Sequence, residues 1–393
     1  MKPRELKPNI YSIGAVDWDR RLFDELIPLP DGTSYNAYLV KGSEKTALID
    51  TVDPTMGDVL IKNLNQIDIK DIEYIIANHA EQDHSGSLSQ IIDAYPNAKV
   101  VATPKCKAIL MDLLLIHDNK FLTVDDGATL SLGDKTLEFI YAPWVHWPET
   151  MLTYLREDKI LFSCDLFGSH MATSDLYVTD ETTVYESAKR YYAEIMMPFR
   201  ATLQKNLEKI KDLEIDTIAP SHGPLHKNPE FIINAYRHWV FDPPENIVVL
   251  PYVSMHGSTK AMVDYFVKAL TEKGITVKQF NLSNSDIGKL SMALVDASTV
   301  VMGVPTTLAG AHPLAFYAAY LVKILRPKLK FISIIGSYSW GGKTVEQLVG
   351  LISSLNVEIL DTVYCKGFPR IEDFESLYQL AENISKKHQE IGL

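Results

Sequence analysis

Four residues able to bind a metal fall within six positions of NHAEQDHSGS, Asn78 to Ser87: His79, Glu81, Asp83 and His84. They follow the apolar run EYIIAN, so a strand is expected to run out into an extended segment. Alternate side chains of an extended segment share a side, which predicts that His79, Glu81 and Asp83 converge while His84 approaches from the turn. Three more donors close later apolar runs: His146 in APWVHWPET, Asp165 at the end of KILFSCD, and His222 in APSHG. Singly, each has an ordinary explanation as a hydrogen-bonded buried histidine or a turn aspartate. Together, four imidazoles and three carboxylates exceed what one tetrahedral zinc takes, and they suit two metals bridged by a carboxylate. Glu81 adds a hard oxygen donor, which favours iron, above all ferric iron, over zinc.

A second constellation lies in SMHGSTKAM, where Ser254, Met255, His256, Gly257, Ser258 and Thr259 join an apolar run to an expected helix. Backbone N–H groups and hydroxyls at such a junction can cradle a phosphate, helped by the helix dipole. The plainer explanation is N-capping by Ser258 or Thr259. Two later loops add to the first: Pro305, Thr306 and Thr307 in VPTTLAGAHP, then Ser337, Tyr338, Ser339, Trp340, Gly341 and Gly342 in GSYSWGGK. Three loops at the carboxyl ends of neighbouring strands form one rim, and Tyr338 and Trp340 can pack on a flavin ring, so FMN is the expected ligand. No GxGxxG follows a strand, which argues against resident NAD or FAD of the Rossmann type.

The elements that must position these residues separate at FDPPEN, Phe241 to Asn246. Before it, short β-rich runs (AYLV, TALID, IEYIIAN, KVVAT, LEFIYA, KILFSCD) mix with helical stretches, among them a long one from VYESAKRYY to KIKDL interrupted at Pro198. After it, five strand-like runs alternate with helices, the pattern of a doubly wound parallel sheet. The expected domains are residues 1–245 and 246–393. At 393 residues, two cores are expected; 46% apolar and 22% charged residues leave little room for disorder. The net charge of −12 argues against nonspecific nucleic-acid or anionic-membrane binding. No run has the length of a membrane span and the start has no apolar signal segment, so a cytoplasmic protein is expected. Three isolated cysteines, Cys106, Cys164 and Cys365, cannot form a four-cysteine iron site.

The first motif resembles the His-x-His-x-Asp-His signature of zinc hydrolases of the metallo-β-lactamase fold, with Glu81 at the second histidine position. Over the whole chain, TSYNAYLV, NHAEQDHSG, PWVHWPETM, LFSCDLFG, RYYAEIMMPF, IAPSHG, SMHGSTKAM, GVPTT and GSYSWGGK resemble the flavodiiron proteins, or A-type flavoproteins. That resemblance implies an α/β chain: a metallo-β-lactamase-like αββα domain with a non-haem di-iron centre, then a flavodoxin-like doubly wound parallel sheet holding FMN. It implies that His79, Glu81 and His146 ligate one iron, that Asp83, His84 and His222 ligate the other, and that Asp165 bridges them. Tyr191 or Tyr192 then lies near the pair as a proton or hydrogen-bond donor, and His170 lines the pocket. The implied activity is reduction of O2 to water or of NO to nitrous oxide. Electrons come through FMN from rubredoxin or, alternatively, reduced deazaflavin F420. Assembly is expected as a homodimer or homotetramer of head-to-tail dimers, with no nucleic acid or membrane as partner. The competing functions are a zinc hydrolase with an appended flavodoxin module, and an electron carrier whose first domain is structural. His226 ranks behind His222 as a ligand, and His117, His238, His312 and His388 read as structural or surface residues.

Overall fold

The computed structural model describes residues 2–393. The chain forms two compact units, Met1–Tyr191 with Phe199–Val240, and Tyr192–Pro198 with Phe241–Leu393. In the first unit, a seven-stranded sheet runs in the spatial order Arg4–Lys7, Ile10–Ser12, Tyr38–Lys41, Thr46–Ile49, Tyr74–Ile76, Lys99–Ala102, Phe121–Thr123. A five-stranded sheet orders Thr129–Ser131, Thr136–Tyr141, Met151–Leu155, Ile160–Cys164 and Thr217–Pro220.

Strand alternation explains why the first sheet's strands read as unbroken apolar runs: both faces are covered. Leu39, Leu48, Ile75 and Val100 pack against Leu60, Leu64, Leu88, Ile91 and Leu110 of three helices, Gly57–Leu64, Leu88–Ala94 and Pro104–Leu114. Their strand neighbours Tyr38, Val40, Ala47, Ile49, Ile76 and Val101 turn the other way and pack against Leu137, Phe139, Met151, Leu155, Ile160 and Phe162 of the second sheet. Helices Glu181–Tyr191, Arg200–Ile210 and Pro229–Phe241 complete the αββα sandwich. The helical run expected to break at Pro198 departs from α geometry six residues before the proline, at Tyr192. Tyr192–Met196 is a π-helical turn and Met197–Phe199 a 3-10 turn.

The second unit is a parallel sheet in the order Thr276–Asn281, Glu245–Tyr252, Ala297–Gly303, Phe331–Tyr338, Val363–Lys366. Numbered along the chain, that is 2-1-3-4-5, the flavodoxin order, whose ligand crevice opens where strand order reverses, at the carboxyl ends of the first and third strands. The last strand-like run, VEILDTVYC, is realised in two pieces, Glu358–Ile359 and Val363–Lys366, both paired with Phe331–Tyr338. On one face, Met262, Phe266 and Leu270 of helix Ser258–Glu272 join Leu377, Leu380 and Ile384 of helix Ile371–Glu390 over Val248, Leu250, Val301 and Ile335.

Candidate metal centre and flavin loops

Three of the candidate metal ligands of the first unit sit just beyond the end of a strand. Asn78 and His79 follow strand Tyr74–Ile76, Asp165 follows Ile160–Cys164, and His222 follows Thr217–Pro220. His146 lies in the connection between Thr136–Tyr141 and Met151–Leu155. The extended segment expected to carry Asp83 with His79 and Glu81 ends early: the chain turns helical at Gln82–Ser85, so Asp83 and His84 ride on one turn and Asp83 groups with His84 and His222 instead. The donor atoms consequently form two groups, each spanning no more than 4.8 Å: His79, Glu81, His146 and Asp165, and Asp83, His84 and His222.

Asp165 joins the groups. Its Oδ2 lies 3.5 Å from His79 Nε2 and 3.8 Å from His146 Nε2, while Oδ1 lies 3.0 Å from His84 Nε2 and 3.5 Å from His222 Nε2. Glu81 Oε2 is 3.1 Å from His79 Nε2 and 2.9 Å from His146 Nε2. Asp83 faces His84 with Oδ1 at 3.3 Å and His222 with Oδ2 at 3.1 Å. All four imidazoles thus present Nε2 to carboxylates. Burial alone would raise the Asp165 pKa; the imidazoles around it, His84 first, outweigh burial and hold it well below the usual carboxylate range. Burial likewise works against protonation of His222, but Asp165 and Asp83 raise its pKa to about 10.

This donor set fits a pair of cations. Both oxygens of Asp83, both of Asp165 and Nε2 of His84 are buried without a hydrogen bond, although they crowd within ionic distance. Uncompensated buried carboxylates are strongly unfavourable, and ligation of metal by their lone pairs removes that penalty. The hard oxygen content matches iron better than a thiolate-rich soft site. Cys164 Sγ lies close to His84 and Asp165, but burial raises its pKa far above that of a free thiol, so it remains S–H.

Outer contacts, none of them anticipated from sequence, fix these ligands. His79 Nδ1 donates to Glu149 Oε1 at 2.7 Å, and His222 Nδ1 donates to the Ser34 carbonyl at 2.6 Å. Asn78 is held by Asp50, which accepts from its backbone N–H at 2.8 Å and its side-chain amide at 2.9 Å. Burial, the largest influence on Asp50, raises its pKa to about 6. Glu149 had one sequence signal, an acid three residues from His146 in a run otherwise apolar or aromatic; Asp50 and Ser34 had none. Beside the second group, the Tyr191 ring lies edge-on to His170, centroids 4.8 Å apart, and 5.8 Å from His222. His170 accepts from or donates to Thr33 Oγ1 through Nδ1 at 2.8 Å, while its Nε2 has no hydrogen bond. Burial and then His222 hold His170 neutral, well below its ordinary pKa; burial and then Asp165 keep Tyr191 a phenol. Tyr192 is buried and counted with the second unit. His226 joins neither group; its Nε2 donates to the Phe167 carbonyl at 3.3 Å.

In the second unit, Ser254 to Thr259 follow the first strand and open helix Ser258–Glu272. The cap is Gly257, at φ 91° and without a side-chain cap bond, rather than Ser258 or Thr259. Ser254 Oγ accepts from Lys260 N at 3.1 Å and so tightens the loop onto the first turn. The three loops are stitched together: Thr307 Oγ1 donates to Met255 Sδ at 3.3 Å, and Thr259 and Ser337 hydroxyls lie 3.4 Å apart. Thr306 Oγ1 bonds the Tyr364 hydroxyl at 2.7 Å, and Tyr364 stacks on Tyr338 with rings 5.8 Å apart and 7° from parallel. At Gly342 an added Cβ would meet Thr306 Cγ2 at 2.6 Å, which only glycine avoids. Pro305 is buried, whereas His256, Ser339 and Trp340 are exposed, Trp340 by 74%. A helix N-terminus beside exposed apolar side chains fits a phosphate with a flat ring attached.

A family model described as "ODP family beta lactamase" matches residues 33–223. The nitric oxide reductase of Moorella thermoacetica is 35% identical across 98% of this chain and 99% of its own. The anaerobic nitric oxide reductase flavorubredoxin of Salmonella typhi is 32% identical across 97% of this chain and 82% of its own. Among solved structures, rubredoxin oxygen:oxidoreductase from Desulfovibrio gigas superposes with a TM-score of 0.95 at 28% identity, covering 99% of both chains. The flavodiiron protein of Giardia intestinalis gives 0.92 at 29% identity, covering 98% of this chain and 97% of that one. A metallo-β-lactamase-like sandwich with a two-group donor site, joined to a flavodoxin-like sheet, defines the class. The chain belongs to the flavodiiron proteins.

Proposed function

We propose that this chain is an oxidoreductase that reduces O2 to water, NO to nitrous oxide, or both, at two non-haem irons supplied with electrons by FMN. The observation that carries the proposal is Asp165, a buried carboxylate that presents one oxygen to each of two donor groups, in a chain related over its length to nitric oxide reductases. In this reading His79, Glu81 and His146 hold one iron, Asp83, His84 and His222 the other, and Asp165 bridges. Ser254 to Thr259 hold the FMN phosphate, and Pro305 to Thr307 with Ser337 to Gly342 border its ring.

Bound iron and FMN supply the electron chemistry; the protein's part is placement and protons. Burial of the ligands excludes bulk water from the donor groups, which strengthens every charge interaction among them. Tyr191 keeps its proton beside Asp165 and His222 and is a neutral O–H placed to serve the site as a proton donor. His170, neutral and fixed through Nδ1 by Thr33, presents Nε2 to the same space.

Rubredoxin is the electron donor we favour, with reduced deazaflavin F420 as the alternative; the three buried, separate cysteines supply no iron site of the rubredoxin kind. A homodimer or homotetramer is supported by the exposed apolar residues Phe316, Tyr317 and Tyr320 on helix Pro313–Leu325. Reduced, unpaired cysteines favour a cytoplasmic site of action, and no helix among the described residues is long and apolar enough to cross a membrane. Metal and flavin analysis of the purified protein, followed by turnover of each gas with reduced rubredoxin, tests the proposal. Two irons and one FMN per chain with gas consumption are expected. Two zincs with hydrolysis, or FMN with no bound metal, would overturn it.

A further inference from the structure

We infer that Glu149 makes the two iron positions electrically unequal, so that the position held by His79 has the lower reduction potential and is the first to become ferric. The inference rests on the two-iron reading above and concerns what this chain builds around it. The inner donors are balanced: one position has Glu81, the other Asp83, and Asp165 is shared. The imbalance begins one shell out. On the first side, His79 Nδ1 donates to Glu149 Oε1 at 2.7 Å. That oxygen also accepts from the Ala80 N–H at 3.0 Å, and Glu149 is only 2% exposed. Its other oxygen has no hydrogen-bond partner, and its backbone carbonyl is pinned by Thr103 Oγ1 at 3.1 Å. A full negative charge is therefore fixed in the interior, one imidazole away from the metal position.

The second side has no equivalent. His222 Nδ1 donates to the carbonyl of Ser34, a neutral acceptor, and His84 Nδ1 has no hydrogen bond. His170, beside His222, is neutral. Asp50, the other buried carboxylate nearby, feels His84 more than His79, but it backs neither imidazole: its two oxygens accept from the backbone N–H and the side-chain amide of Asn78, and His84 Nδ1 has no hydrogen bond. A carboxylate-backed imidazole is the stronger electron donor, and an uncompensated buried anion favours the higher metal charge. Each oxidation removes one electron from a ferrous ion to an external mediator. The proton between His79 Nδ1 and Glu149 Oε1 stays where it is, so the charge of Glu149 acts on the metal through the imidazole.

The test is a potentiometric titration of the full-length holoprotein, with the half-oxidised iron pair followed by electron paramagnetic resonance and the flavin by visible absorption. The parent should show two separate one-electron iron steps. Glu149→Gln keeps an acceptor oxygen for His79 and Ala80 while removing the charge. It should retain both irons, raise the more negative step, leave the other nearly in place, and so narrow the gap between them. Glu149→Asp, with the charge kept at shorter reach, should give a smaller narrowing in the same direction and decides the matter if the glutamine variant does not fold. An unchanged or widened gap in the folded variants, or simultaneous oxidation of both irons in the parent, overturns the inference. A parent without two irons overturns the underlying reading and the inference with it; two irons with an unmoved gap overturns the inference alone.

Discussion

The two units handle their ligand-binding residues in opposite ways. In the first, the metal-facing side chains are ionisable and, His146 excepted, buried; they are drawn from four separate segments of the sandwich and locked by further buried partners such as Glu149 and Ser34. In the second, three adjacent loops provide backbone, hydroxyls and exposed apolar surface, with Leu308 91% and Trp340 74% exposed. A centre built from buried charge must be nearly perfect in its side chains, because each unpaired carboxylate or imidazole is heavily penalised. A rim built from a helix N-terminus and main chain tolerates side-chain change but depends on backbone conformation.

Asp165→Asn should separate the two units most sharply. Loss of a carboxylate that serves both donor groups should reduce bound iron and lower gas turnover by at least about 100-fold, more than loss of an outer-contact residue typically does, while FMN content stays at one per chain. Metal and flavin analysis on the same sample checks it; iron and flavin falling together would mean the units are not independent in this sense. Gly257→Val makes the reverse cut. An added Cβ meets no protein atom there, so the cost within the protein comes from φ 91°. A left-handed conformation costs a residue with Cβ roughly 1–2 kcal/mol, so FMN affinity should weaken about tenfold with iron content unchanged, as flavin fluorescence titration can show.

Trp340→Ala should act more weakly: flavin dissociation a few-fold faster, and folding stability altered by no more than about 0.5 kcal/mol, as expected for an exposed side chain. A loss of FMN as severe as that from Gly257→Val would show that the rim relies on side chains after all. The smallest effect concerns pH. His388 is buried with Nδ1 against Asn246 Oδ1 at 2.7 Å and Nε2 against Thr299 Oγ1 at 2.7 Å, and burial pushes its pKa down to about 4. Folded His388 stays neutral where the unfolded chain, near 6.5, takes up a proton. Its contribution is therefore full above about 6.5 and is lost as pH falls toward about 4. Denaturant titrations at several pH values should show this slope in the parent and a shallower one in His388→Gln.

The same contrast explains what the sequence disclosed. The candidate ligands announce themselves because few side chains bind metal and because several follow apolar runs; His79, Asp165 and His222 are legible that way and lie just beyond strand ends, whereas His146 lies inside a connection. The doubly wound parallel sheet was legible in the regular alternation of apolar runs and helices after Phe241, while its strand order is fixed only by the pairing in the folded sheet. The grouping of Asp83 with His84 was not legible from the residues alone, since nothing in EQDHS fixes whether the chain stays extended or coils after Glu81, and the short turn Gln82–Ser85 is decided by packing. Glu149 and Asp50 stayed hidden because a buried carboxylate and a surface one look alike until their partners arrive from elsewhere in the chain, as His79 does across 70 positions. His388, expected to be structural or superficial, is buried and fully hydrogen bonded, the structural half of that expectation.

The π turn after Tyr191 has an arithmetic consequence. An α-helix advances about 100° per residue, and a π turn accommodates one residue more than an α turn does. The segment Tyr192–Met196 therefore sets the phase between Tyr191 and helix Arg200–Ile210. Deleting any single residue there would let an ordinary helical turn form and would swing the phenol away from His170 and His222 by about a quarter of a revolution, with every side chain of the site still encoded. The aim of that tyrosine is stored as a count of residues, and a point substitution cannot erase it.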